Sequence, residues 1–182
     1  MSRNAQGIAA LVALALSAGA ALAAIGATAA PSATGTPATA SLERFKSLAG
    51  DWVAAEDGDM TKKGDLVARY AVTAAGSAVV ETIFPGSPHE MVTVYHADGP
   101  DLVLTHYCME GNQPRMRAKA ARGSRFDFAF DGGTNIDPKR DRHMNSATIE
   151  LLSPDEIRTE WTELAEGKPV LVAKSHLVRK TR

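Results

Sequence analysis

Apolar and polar residues alternate with a period of two over much of the chain beyond residue 65. Phe126, Phe128 and Phe130 interleave with Arg125, Asp127 and Asp131. Met116, Ala118 and Ala120 interleave with Arg115, Arg117 and Lys119. A two-residue period is that of a strand with one buried face. The pattern predicts strands over residues 65–74, 78–84, 90–97, 101–108, 115–121, 125–130, 147–152, 156–164 and 170–179. Turn signals separate them, among them Ala75-Gly76-Ser77, Pro85-Gly86-Ser87-Pro88, Asp98-Gly99-Pro100, Gly123-Ser124 and Glu166-Gly167-Lys168. Connections this short make sequence neighbours antiparallel neighbours in space. About nine strands in that order lose their edges by closing into an antiparallel up-and-down barrel, so the expected class is all-β.

A different period stands just before the strands. Leu42, Phe45 and Leu48 fall on one face at helical spacing, Ser41 can cap that helix, and Gly50 ends it. Trp52 then begins the sheet region. One hairpin register follows from charge alone. Placing Ala120 opposite Phe126, with the three-residue turn Arg122-Gly123-Ser124, puts both apolar sets on one face. A two-residue turn would bury Arg117 and Lys119 among the phenylalanines, which is too costly. Residues 132–145 form the longest predicted gap between strands. Asp137-Pro138 opens a short solvent-facing helix there, either a lid or a surface loop.

The N-terminus reads as a targeting segment. Arg3 is the one charge before Glu43, and an Ala- and Leu-rich run follows it. Small-residue cleavage sites stand at Ala21-Leu22-Ala23 and Ala27-Thr28-Ala29. No basic stop-transfer cluster follows, so no stable membrane span is expected after cleavage. The expected organisation is a signal peptide over residues 1–29, a flexible linker over 30–41 and a barrel domain over 42–182. The expected compartment is exported, periplasmic or secreted. Cys108 is the single cysteine, which excludes an intramolecular disulfide and a lipid anchor near the cleavage site. Twenty basic residues against 21 acidic ones, interspersed, give a formal charge of −1 and no footprint for nucleic acid.

Leu48-Ala49-Gly50-Asp51-Trp52 resembles the Leu-x-Gly-x-Trp opening of lipocalin-like, or calycin, barrels. The His106-Tyr107-Cys108 and Gly111-Asn112-Gln113-Pro114-Arg115 segments resemble those of uncharacterised exported bacterial proteins with lipocalin-like domains of unknown function. The resemblance spans most of residues 42–182 and implies a barrel with an apolar small-molecule ligand. It implies no catalytic residues. Haem-binding barrels of related architecture carry a histidine near the C-terminus, and His176 alone matches by position.

Candidate chemistry gathers between residues 81 and 116, which hold three of the five histidines and the cysteine. If Asp98-Gly99-Pro100 is a three-residue turn, Val92 faces His106 and Glu90 faces Cys108. Glu90, His106 and Cys108 then share one face, as acid–base pair and nucleophile or soft ligand. The competing reading is a half-buried structural histidine and an inert core cysteine. His96 and His106 would stand roughly 13 Å apart at strand rise, too far to share an ion, so no metal site is expected from them. His89 and His106 remain a pair that a third strand could complete. Asn112, Gln113 and Arg115, with His106, are the candidate ligand contacts, since an arginine fork fixes a carboxylate or carbonyl. Asp131, Asn135, Asp137 and Asp141 miss the spacing of a calcium loop. Trp52 and Trp161 read as core. The leading expectation is a non-catalytic barrel binding a small apolar molecule, with its cofactor and oligomeric state unassigned. An enzyme using Glu90 and His106, or a module whose barrel is filled by its own side chains, are the alternatives.

Overall fold

The structure, a computed structural model, describes residues 36–118 and 123–181. The signal segment, half of the linker (residues 30–35), and Lys119, Ala120 and Arg122 of the register argument lie outside the described residues. One helix, α1 (Pro37–Lys46), precedes ten strands: β1 (Gly50–Ala54), β2 (Leu66–Thr73), β3 (Ala78–Ile83), β4 (Met91–Asp98), β5 (Asp101–Tyr107), β6 (Gln113–Ala118), β7 (Arg125–Thr134), β8 (His143–Ser153), β9 (Glu156–Ala165) and β10 (Lys168–Arg179). Each pairs antiparallel with its neighbour in sequence, and β1 meets β10 to close the barrel. The tenth strand beyond the nine expected is β1, whose five residues are too few to show a period. No helix among the described residues is long and apolar enough to cross a membrane.

The helix begins earlier than the expected Ser41 cap. Pro37 occupies its first turn, and the Thr36 hydroxyl accepts a hydrogen bond from Thr39 N. Ala38, Ser41, Leu42 and Phe45 are buried on one face, so the last residues assigned to a flexible linker belong to the fold. That helix shuts one end of the barrel. Phe45 is fully buried, with its ring 4.6 Å from that of Tyr95, 4.9 Å from Phe126 and 6.2 Å from Phe128. Arg179 fastens the chain ends together there. Its guanidinium lies 4.5 Å over the Trp52 ring, and donates to Ser47 O and Ala49 O after the helix and to Pro154 O and Asp155 Oδ1 in the β8–β9 turn.

Two hairpins test the register expectations in opposite ways. Met116 opposes Phe130 and Arg117 opposes Ala129, the register deduced from burying the phenylalanines. Phe126 and Phe128 are buried accordingly. The β4–β5 turn corrects the other deduction: Asp98 opposes Asp101 around a two-residue Gly99-Pro100 turn, with Gly99 at φ 58°. Arg117 accounts for it, reaching Asp98 at 2.7 Å and Asp101 at 3.4 Å, so the two aspartates gain by standing side by side. The one-residue slip exchanges the faces of β4. Between β7 and β8 the expected helix at Asp137 is only a turn. Asp137 O accepts from Arg140 N and Asp141 N, and Asp141 Oδ2 accepts from Asp137 N.

Candidate functional site

Four adjacent strands carry a polar row on the inner wall. Tyr70 opposes Glu81, Glu81 opposes Thr93, and Thr93 opposes His106. Glu81 stands between Val79 and Ile83 on the inward side of β3 and is 4% exposed. Tyr70 Oη donates to Glu81 Oε1 and Tyr95 Oη to Oε2, both at 2.6 Å. Burial pushes the Glu81 carboxyl above its ordinary range, against the opposing pull of those two bonds. Both phenols are held well above the usual tyrosine value, first by burial and then by the Glu81 charge.

His106 is 1% exposed. Its Nδ1 lies 2.9 Å from Thr93 Oγ1, and its Nε2 has no hydrogen-bond partner in the protein. Burial lowers its pKa to about 4, so the ring is neutral at pH 7. The Trp161 ring reaches it from β9 across the barrel, 5.1 Å between centroids at 43°.

These groups surround a cavity of about 80 Å³. Glu81, His106, Thr159 and Ser175 form its polar lining, and Ile83, Phe84, Met91, Met144 and Trp161 contribute much of its apolar wall. Its position is the half of the barrel away from α1. The volume accommodates several water-sized groups and is well below the roughly 300–1,000 Å³ of a site for a drug-sized ligand. A larger hollow of about 530 Å³ lies between the β1–β2 loop and the outer face of β8–β10. Its walls include the exposed charges Glu160, Arg158 and Lys174, and it has no buried polar group aimed into it. The interior cavity is therefore the better candidate.

The residues singled out from sequence separate. His106 alone lines the cavity. Glu90 precedes β4, exposed in the β3–β4 turn, where its carboxylate accepts from Gly86 N. Cys108 is half-buried past the end of β5, with burial raising its thiol, so neither an acid–base pair nor an activated nucleophile is assembled. Asn112 is buried and donates to Arg142 O at 2.7 Å. Gln113 Oε1 accepts from Thr134 and Asn135, and Arg115 bonds Asp131 O at 2.8 Å. These three fasten the start of β6 and the residue before it to β7 and the β7–β8 loop; they are not at the cavity. His89 is exposed while His106 is interior. Among the described residues no three His, Cys, Asp or Glu side chains are grouped to hold a metal ion. His176 bonds Glu156 at 2.7 Å on the outer face, away from any haem position inside the barrel. Trp161, expected as core, lines the cavity.

Tyr70, Glu81, Thr93 and Tyr95 were missed because no local motif joins them. Their one sequence signal is a lone carboxylate, Glu81, within the apolar run Ala78-Val79-Val80-Glu81-Thr82-Ile83. No protein-family model matches the chain, and a search of curated proteins finds no relative.

Proposed function

We propose that the chain is an exported lipocalin-like binding protein, without catalysis, whose ligand enters the half of the barrel away from α1. The observation that carries this reading is the cavity itself. One half of the barrel is filled by its own aromatic side chains, whereas the other leaves about 80 Å³ beside two buried polar side chains. A filled structural module has no use for an interior His106 Nε2 without a partner, since an unsatisfied buried polar atom costs roughly 1–3 kcal/mol. The apolar wall suits a small apolar body, and Glu81 with His106 suits one polar end. The ligand is correspondingly small, or it projects from the barrel mouth past Phe84 and Met91.

Native mass spectrometry of the protein isolated from the cells that make it tests the reading. The expected result is a small added mass that is lost on denaturation and does not return with Ala173→Trp, which fills the cavity. A bare polypeptide mass, with no response of Trp161 fluorescence to small amphiphiles, would overturn it.

A further inference from the structure

Among the described residues the carboxyl group of Glu81 has no positive partner. Each of its oxygens accepts one tyrosine hydroxyl, and a carboxylate oxygen accepts about two hydrogen bonds, so each keeps an open position. Among the described residues Glu81 and His106 are the titratable side chains of the cavity wall, and no lysine or arginine lines it. Three of the described arginines are engaged elsewhere: Arg117 with three aspartates, Arg142 with Glu163 and Arg179 at the far end. His106 supplies no counter-charge at neutral pH, because burial keeps it unprotonated. A buried carboxylate held by neutral donors alone is costly, and a ligand that brings the missing charge recovers that cost.

We propose that the ligand of this cavity is a small primary amine, bound as its ammonium ion between Glu81, His106 and Trp161, with a short apolar body directed along Met91 and Met144. This rests on the reading that the cavity binds a small molecule, and names the class of that molecule. An ammonium ion has three donors and no acceptor. Glu81 offers the open carboxylate positions. His106 offers Nε2 as an acceptor when the Nδ1 proton is directed at Thr93 Oγ1, the tautomer this arrangement requires. Thr159 and Ser175 add hydroxyl oxygens in the same wall. The Trp161 indole gives a cation an aromatic face, the most favourable of the aromatic side chains for that contact. A carboxylate ligand would meet Glu81 with like charge and no cation to receive it.

Isothermal titration at pH 7.5 with n-butylamine, n-butanol and butyrate, and with the shorter pair n-propylamine and n-propanol, tests the class directly on the wild-type protein. The amine is expected to bind at least about tenfold more tightly than its alcohol, and the carboxylate not at all. Glu81→Gln should remove the advantage of amine over alcohol, while Tyr95→Phe should keep it. Alcohols binding as well as amines, or an unchanged amine preference in Glu81→Gln, would sink the amine assignment and leave the binding reading standing. If the Gln variant does not fold, the wild-type comparison of amine with alcohol still decides. Absence of binding by every probe overturns the amine assignment, and the native mass measurement then decides separately whether the cavity carries a ligand.

Discussion

At the end closed by α1, Phe45 meets Tyr95, Phe126 and Phe128 ring to ring, and Leu104 and Met116 are fully buried. At the other end the inner wall carries Glu81 and His106 around open space. Both halves are built from the same strands, and Tyr95 belongs to both, touching Phe45 with its ring and Glu81 with its hydroxyl. The first half resists solvent by removing apolar area from water. The second buries Glu81 and His106 and leaves His106 Nε2 without a partner, a costlier arrangement that stability alone does not call for. Packing accounts for the first half; the proposed binding role would account for the second.

The sharpest way to break this division is Phe45→Ala. If the helix end is the stabilising half, losing that ring should cost about 3–5 kcal/mol in denaturant unfolding. A loss below about 1 kcal/mol would mean that the aromatic cluster is not what holds the barrel shut.

Acid should single out the polar half. Unfolded His106 takes up a proton near pH 6.5, whereas the buried ring does so only near pH 4. The unfolded state therefore binds the additional proton between those values, and stability present above pH 6.5 is lost as pH falls towards 4. The loss amounts to about 3 kcal/mol. Glu81, raised by burial, contributes with the opposite sign, gaining relative stability as pH falls through its raised value. The difference between wild type and His106→Gln across that window isolates the histidine. Parallel stability curves for the two proteins would show that His106 is not protected from protons.

A smaller and paired effect compares available space. Ala118 is buried opposite Leu102 in the filled half, and Ala173 borders the cavity. Ala118→Leu should overpack and destabilise by about 1–3 kcal/mol. Ala173→Leu should change thermal stability by less than about 1 kcal/mol while blocking ligand uptake. Equal destabilisation by both would show that the two halves are packed alike.

How far the sequence discloses this molecule depends on which contacts are local. The strands are legible because Phe126 to Phe130 and Ile157 to Trp161 alternate with polar neighbours. The β6–β7 register is legible because the wrong choice would bury Arg117. The β4–β5 register is not, because Met91, Val92 and Val94 leave both faces of β4 apolar. The deciding contacts of Arg117 with Asp98 and Asp101 come from another strand. Once β4 slips by one residue, Glu90 leaves the inner wall and Thr93 takes its place beside His106. Of the candidate site, His106 alone was legible. Glu81 and its tyrosines come together only through two cross-strand registers, neither written in a local motif.

The ring order makes every seam but one a join between strands consecutive in the chain. The exception is β1 with β10, where three residue pairs, Trp52 to Ala54 against Arg179 to Leu177, close the ring. The Arg179 bond to Ala49 spans 130 residues, and the entropy of closing so long a loop falls on this seam while hairpin seams need only a few residues. The cost of loop closure is thereby concentrated at one seam of the barrel, the one that Arg179 spans. Arg179 is in that sense a clasp on the ring, set where the first and last strands meet.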